Sequence, residues 1–139
     1  MDQLGAVGVA MVAEGGTAPT ERYRSLIRDA IYDTADRGRV VICAHAASFA
    51  LSGRPGVLRA FVTASPDVRA RRVADDQSLD PREAQRFVER EDMARADYLK
   101  RFYDVGRELP THYDLVVSTD KLSAEQATGI IVAAAQAVE

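Results

Sequence analysis

Seven arginines, Arg69, Arg71, Arg72, Arg82, Arg86, Arg90 and Arg95, lie in one stretch of the chain, with Lys100 and Arg101 just beyond. A guanidinium stays charged at any working pH, and its planar fork matches two phosphoryl oxygens at once. Such a row on a helical segment could close over phosphates as a lid. The same row also reads as a solvated helical pair laced by partners three and four residues apart, such as Glu83 with Arg86, Arg86 with Glu89, or Glu91 with Arg95. Charge pattern alone leaves both readings open. His45 is a second candidate: imidazole titrates near neutrality and could donate to an anion at a helix start, although a lone histidine reads first as a structural loop residue. His112 reads as a surface turn.

The elements that must position these groups are legible as an alternation. Thr20 is placed to cap a helix through Asp36, with Tyr23, Ile27, Ala30, Ile31 and Thr34 on one face and Gly38 as its stop. Val40 to Ala44, Val57 to Ala64 and Leu115 to Ser118 have the length and composition of buried strands. A short helix is expected over Ala46 to Leu51, ended by the turn Ser52-Gly53-Arg54-Pro55-Gly56. Ser65-Pro66 opens a helix over Asp67 to Asp75, and Asp80-Pro81 opens a longer one through about Tyr103. That helix has Ala84, Phe87, Val88, Glu91, Arg95 and Tyr98 near one face, of which Glu91 and Arg95 are odd members of an apolar stripe. Ser123 caps a final helix carrying Ile130, Ile131 and Ala134. Strands alternating with helices imply an α/β fold with a mainly parallel sheet between helical layers, which is a three-layer α/β/α arrangement. Ligands in such sheets bind beyond the carboxyl ends of the strands, here Ala44 to Ser48, Thr63 to Ser65 and Ser118 to Asp120.

The whole chain has 139 residues, 47% hydrophobic and 28% charged, enough for one domain with its own core and unlike a disordered tail. A formal charge of -3 gives no reason to expect nucleic acid or an anionic membrane as partner, so any anion site must be local. Residues 67 to 107 hold ten of the 18 basic and ten of the 21 acidic residues, so the near-neutral balance hides a segment that is half charged. The single cysteine, Cys43, cannot form an internal disulfide and reads as a small buried hydrophobe. Leu4 to Ala13 is about half of a membrane span in length, and no Lys or Arg precedes Arg22 as a secretory leader would need. A cytoplasmic protein is expected.

No GxxxxGK[ST] string is present, and the only lysines are Lys100 and Lys121. The glycine amides, bridging lysine and magnesium-binding hydroxyl of a phosphate-binding loop are therefore missing from these residues. GxGxxG, HExxH, CxxC and GxSxG patterns are absent as well, and no metal-ligating set is detectable.

Four segments taken in order resemble the cytidylate kinase-like family of nucleoside monophosphate kinases. They are Val40 to Ser48, Val57 to Pro66 with Arg69 and Arg72, Asp92 with Arg95, Asp97 and Tyr98, and His112 to Asp120. The likeness covers about Tyr23 to Val138. It implies a P-loop kinase fold that transfers the γ-phosphoryl of ATP, with Mg²⁺, to a pyrimidine nucleoside monophosphate. It implies Arg69 and Arg72 as lid arginines and Arg95 of the Asp-x-x-Arg element as the three catalytic positions, with His45, Ser48, Arg59 and Asp92 on the substrate and phosphate side. Lid-like residues span about 66–107 of a single domain over 1–139. Many family members carry Gly-Arg-Gly where this chain has Ala44-His45-Ala46, and the family's first strand, P-loop and first helix have no counterpart. The expectation is a truncated or degenerate member that keeps nucleotide or phosphate affinity. Losing even one oxyanion-type donor costs about 3 kcal/mol, so this chain alone is expected not to turn over ATP. The rival expectation is a non-catalytic interaction module on the same scaffold. A homodimer is expected, because a parallel sheet short of a strand leaves ladder edges to cover.

Overall fold

The structure, a computed structural model, describes residues 17–138, and the side chains of residues 21–138. The apolar stretch Leu4 to Ala13 lies outside the described residues. The chain divides into two compact units, Met1–Ser52 and Gly53–Glu139.

In the first unit, helix α1 spans Thr17–Asp36 and the one-turn helix α2 spans Ala47–Ala50. α1 begins before the expected cap at Thr20. It ends where Gly38 and then Arg39 take positive φ, a conformation easy for glycine and costly for arginine. Ile31 is the buried member of its apolar face, while Tyr23 is exposed. Ala46 carries α2 in a left-handed conformation, and Ala46, Ala47 and Leu51 are buried around it. The strand expected over Val40 to Ala44 is absent: these residues have no ladder partner among the described residues, and Val41 is 80% exposed. A strand exists only by pairing, so an apolar run without a neighbour stays irregular. Cys43 is accordingly exposed, which corrects its reading as a buried hydrophobe.

The second unit is built on two parallel strands, β1 over Ala60–Thr63 and β2 over Leu115–Ser118. The register pairs Ala60 with Leu115, Phe61 with Val116, Val62 with Val117 and Thr63 with Ser118. β1 is shorter than its apolar run because β2 offers only four residues to pair with. Helices α3 (Pro66–Gln77) and α4 (Pro81–Tyr103) form the crossover between the strands and pack on each other as a helical hairpin. Helix α5, Ala124–Gln136, follows β2 and contacts it.

Local chemistry explains the boundaries. Asp80 caps α4 as expected, its carboxylate accepting the N–H groups of Arg82 and Glu83, with Pro81 at the first helical position. Ser123 and Gln126 form a reciprocal capping box on α5. Ser65 behaves differently: its hydroxyl caps nothing, and its N–H donates to Asp120 Oδ1 at 2.6 Å. On α4 the buried residues are Ala84, Val88, Leu99 and Phe102, and the helical row through them passes Asp92 and Arg95. Glu91, expected on that row, is exposed. The core of this unit also takes in Ala64, Tyr113, Val117 and Ala127, whereas Ile130 is partly exposed.

Candidate functional site

β1 and β2 run parallel, so Ala64 and Ser65 stand beside Thr119 and Asp120 at one edge, beyond the carboxyl ends of both strands. Thr119 N–H donates to Thr63 O at 2.8 Å and its hydroxyl donates to the same carbonyl at 3.1 Å, which fixes the edge. Two of the sequence-predicted arginines converge there from α3, where they lie three residues apart on one helix face.

Arg69 is anchored through Nε, which donates to Ala64 O at 3.1 Å. Its two terminal nitrogens grip the Asp92 carboxylate end-on, at 2.6 and 2.7 Å. The hydrogen bonds from Arg69 hold the Asp92 carboxyl below the usual carboxylate range, and the carboxylate in return raises the guanidinium. Arg72 donates to the Thr119 hydroxyl at 2.9 Å and to the Thr119 carbonyl at 2.5 Å, neutral partners that orient its charge without cancelling it.

Arg95 stands one turn beyond Asp92 and serves a different cluster. Its Nε and a terminal nitrogen reach Glu108 at 2.9 and 2.6 Å, and the same terminal nitrogen donates to the Tyr113 hydroxyl at 3.3 Å. Tyr113 donates in turn to Glu108. The guanidinium lies 5.4 Å from the centre of the Phe61 ring, which stacks on Tyr113 at 4.8 Å. Burial pushes the Glu108 carboxyl up, but hydrogen bonds from Arg95 and Tyr113 outweigh it and leave the group below its ordinary value. Arg95 therefore pairs with Glu108 rather than with Glu91 on its own helix.

Arg59 is at the opposite, amino-terminal edge of the strand pair. Its backbone N–H, Nε and a terminal nitrogen all donate to Asp114, at 2.8, 3.0 and 2.8 Å. The structure thus brings Arg69, Arg72 and Asp92 together and separates Arg59 from them. His45 is exposed just before Ala46, and Ser48 is half-buried within α2. Both belong to the first unit, and a helix of four residues gives His45 few aligned amides to work with. Thr119 and Asp120 fall in the strand end Ser118 to Asp120 that the sequence marks for ligands, though no individual role is read for them there. Glu108 and Tyr113 are not marked as site residues by the sequence, and Glu108, thirteen residues from Arg95, carries no signal of its part.

Among the described residues no cluster of three or more His, Cys, Asp or Glu is placed to hold a metal ion. No helix among the described residues is long and apolar enough to cross a membrane.

A mixed α/β unit with a small parallel strand pair and a helical hairpin inserted after its first strand fits an α/β kinase-like fold. The sequence matches the cytidylate kinase-like family over residues 3–121, and the chain belongs to that family. It is 26% identical over 100 residues to the cytidylate kinase of Staphylothermus marinus, a match covering 72% of this chain and 56% of that protein. The chain thus spans little more than half the length of this relative. A crystal structure of an uncharacterized protein from Eubacterium ventriosum superimposes with a TM-score of 0.72 at 21% identity, covering 87% of this chain and 66% of that one. That likeness concerns the fold.

Proposed function

We propose that residues 1–139 form one cytidylate kinase-like domain whose residues 66–107 are its arginine lid, on the three-layer α/β/α scaffold of P-loop kinases. The domain binds the phosphates of a pyrimidine nucleoside monophosphate. The observation that carries this reading is the placement of Arg69 and Arg72 at the carboxyl edge of a parallel pair, where such folds bind ligands. Backbone carbonyls of Ala64 and Thr119 hold both guanidinium groups, so little side-chain entropy remains to be lost when an anion arrives. Arg95 contributes from a second cluster. The family match runs through both compact units, which supports treating them as one domain.

Phosphoryl transfer is positioning plus charge neutralisation. These arginines can hold a transferring phosphate, but the 139 residues contain no phosphate loop to hold ATP, so the chain by itself binds without turnover. Calorimetric titration with CMP, CDP and ATP tests the binding, and a folded sample that gives no heat at millimolar ligand overturns it. A coupled ADP-release assay tests the second statement.

A second reading is favoured by one observation. Val62 on one face of the strand pair and Val116 on the other are 50% and 40% exposed, and among the described residues the pair has two open ladder edges. On this reading the chain is an interaction module that pairs with a second copy of itself. A monomeric mass by light scattering at tens of micromolar excludes it.

A further inference from the structure

We propose that Asp120 is a positioning residue for the phosphate site. Its carboxylate takes the backbone N–H that would continue the strand ladder, and so leaves the Thr119 carbonyl free to hold Arg72. The inference rests on the reading of Arg72 as a phosphate ligand.

The register of the ladder shows what Asp120 replaces. In a parallel pair a bonded residue donates its N–H to one residue of the neighbour and accepts from the residue two further along. Thr63 stands opposite Ser118, and Thr119 N–H donates to Thr63 O at 2.8 Å. The next rung of such a ladder runs from Ser65 N–H to Thr119 O. The structure spends both groups elsewhere: Ser65 N–H donates to Asp120 Oδ1 at 2.6 Å, and Thr119 O accepts from Arg72 at 2.5 Å. One exchange therefore serves two groups. An exposed carboxylate supplies the acceptor that Ser65 N–H needs, and the carbonyl it spares becomes the shorter of the two contacts of the Arg72 guanidinium. Ser65, Arg69 and Arg72 follow at intervals of four and three on one helix face, so the N–H held by Asp120 is also where the helix carrying both arginines leaves the strand. Without the carboxylate, Ser65 N–H turns to the neighbouring carbonyl, and Arg72 keeps only the Thr119 hydroxyl. One bond at the edge replaces another, so stability holds while the arginine loses its place.

The test titrates the full chain with CMP by calorimetry and compares Asp120→Asn with Asp120→Ala. Both remove the charge, and only asparagine keeps an oxygen for Ser65 N–H, so a difference between them reports the hydrogen bond and not the field of the carboxylate. Asp120→Asn should bind CMP about fivefold more tightly than Asp120→Ala, the factor equivalent to one hydrogen bond, with closely similar urea midpoints. Should Asp120→Ala fail to melt cooperatively, Asp120→Leu, which keeps the branched shape without an acceptor, carries the same expectation. Equal CMP affinities overturn the proposal, and so does an affinity difference matched by an equal difference in unfolding free energy. Arg72→Met separates the two levels. If it binds CMP as the wild type does, the reading of Arg72 falls; if it loses CMP while the two Asp120 variants bind alike, only the role of Asp120 falls. A folded wild type that gives no heat with CMP overturns both.

Discussion

Arg59 and Asp114 are joined by three hydrogen bonds at the amino-terminal edge of the strand pair, one from the Arg59 backbone and two from its guanidinium. Asp114 immediately precedes β2 and Arg59 immediately precedes β1, so this contact sets the register from its first rung. Asp114→Ala removes all three bonds and leaves an arginine that is mostly covered. Because the carboxylate is well solvated, the loss should be about 1 kcal/mol, read as a lower urea midpoint with an unchanged slope.

The Glu108 cluster should be worth more, since it is better shielded from solvent. Glu108→Gln keeps a group that can accept from Tyr113 but withdraws the charge opposite Arg95, at an expected cost of about 1–2 kcal/mol. A double-mutant cycle with Arg95→Met checks that the loss is a coupling between the two side chains. An additive cycle contradicts it.

Asp92, Glu108 and Asp114 all have folded-state pKa values below their ordinary ones of 3.8, 4.5 and 3.8. A depressed carboxyl binds its proton less readily in the folded chain, so each contributes stability above its ordinary value and loses it as pH falls through the folded one. The urea midpoint should be level above roughly pH 5 and decline progressively below that. Combining Asp92→Asn, Glu108→Gln and Asp114→Asn should flatten the decline; an unaltered acid limb in the triple variant would contradict the assignment.

Thr119→Val removes one of the two partners of Arg72 and one of the two bonds on Thr63 O, while both backbone contacts of residue 119 remain. The thermal midpoint should therefore fall by only a few degrees, corresponding to about 1 kcal/mol. CMP affinity should fall further than stability does, because Arg72 is then less well held. Parallel titrations of wild type and variant measure this, and an equal affinity would show that Thr119 does not orient the guanidinium.

These relationships were legible in the sequence to different depths. Helix starts at Pro66 and Pro81 and the cap at Ser123 follow from local residue chemistry and needed no tertiary information. The strand expected over Val40 to Ala44 did not form among the described residues, because an apolar run records suitability for a ladder but not the presence of a partner. The arginines stood out by type and Asp92 by the family resemblance, yet which acid pairs with which arginine did not. Asp92 lies 23 residues from Arg69 and Glu108 lies 13 from Arg95, and only the folding back of α4 on α3 and the turn after α4 bring them together. Glu91 and Asp92 are adjacent acids, and the exact pitch of α4 decides which one meets α3. The near-neutral net charge likewise concealed that carboxylates sit in the arginine forks themselves.

The contacts at the two ends of the strand pair span the same length of chain: Arg59 to Asp114 and Ser65 to Asp120 are each separated by 55 residues. Closing a flexible loop of that length costs roughly 3.5 kcal/mol of chain entropy beyond a constant term. Because both contacts close the same loop, whichever forms first bears that cost and the other follows almost free. The α3 and α4 hairpin, made of neighbouring helices, shortens the effective loop before either forms. Folding of this unit is thus expected to begin in the charged crossover and finish at the strands.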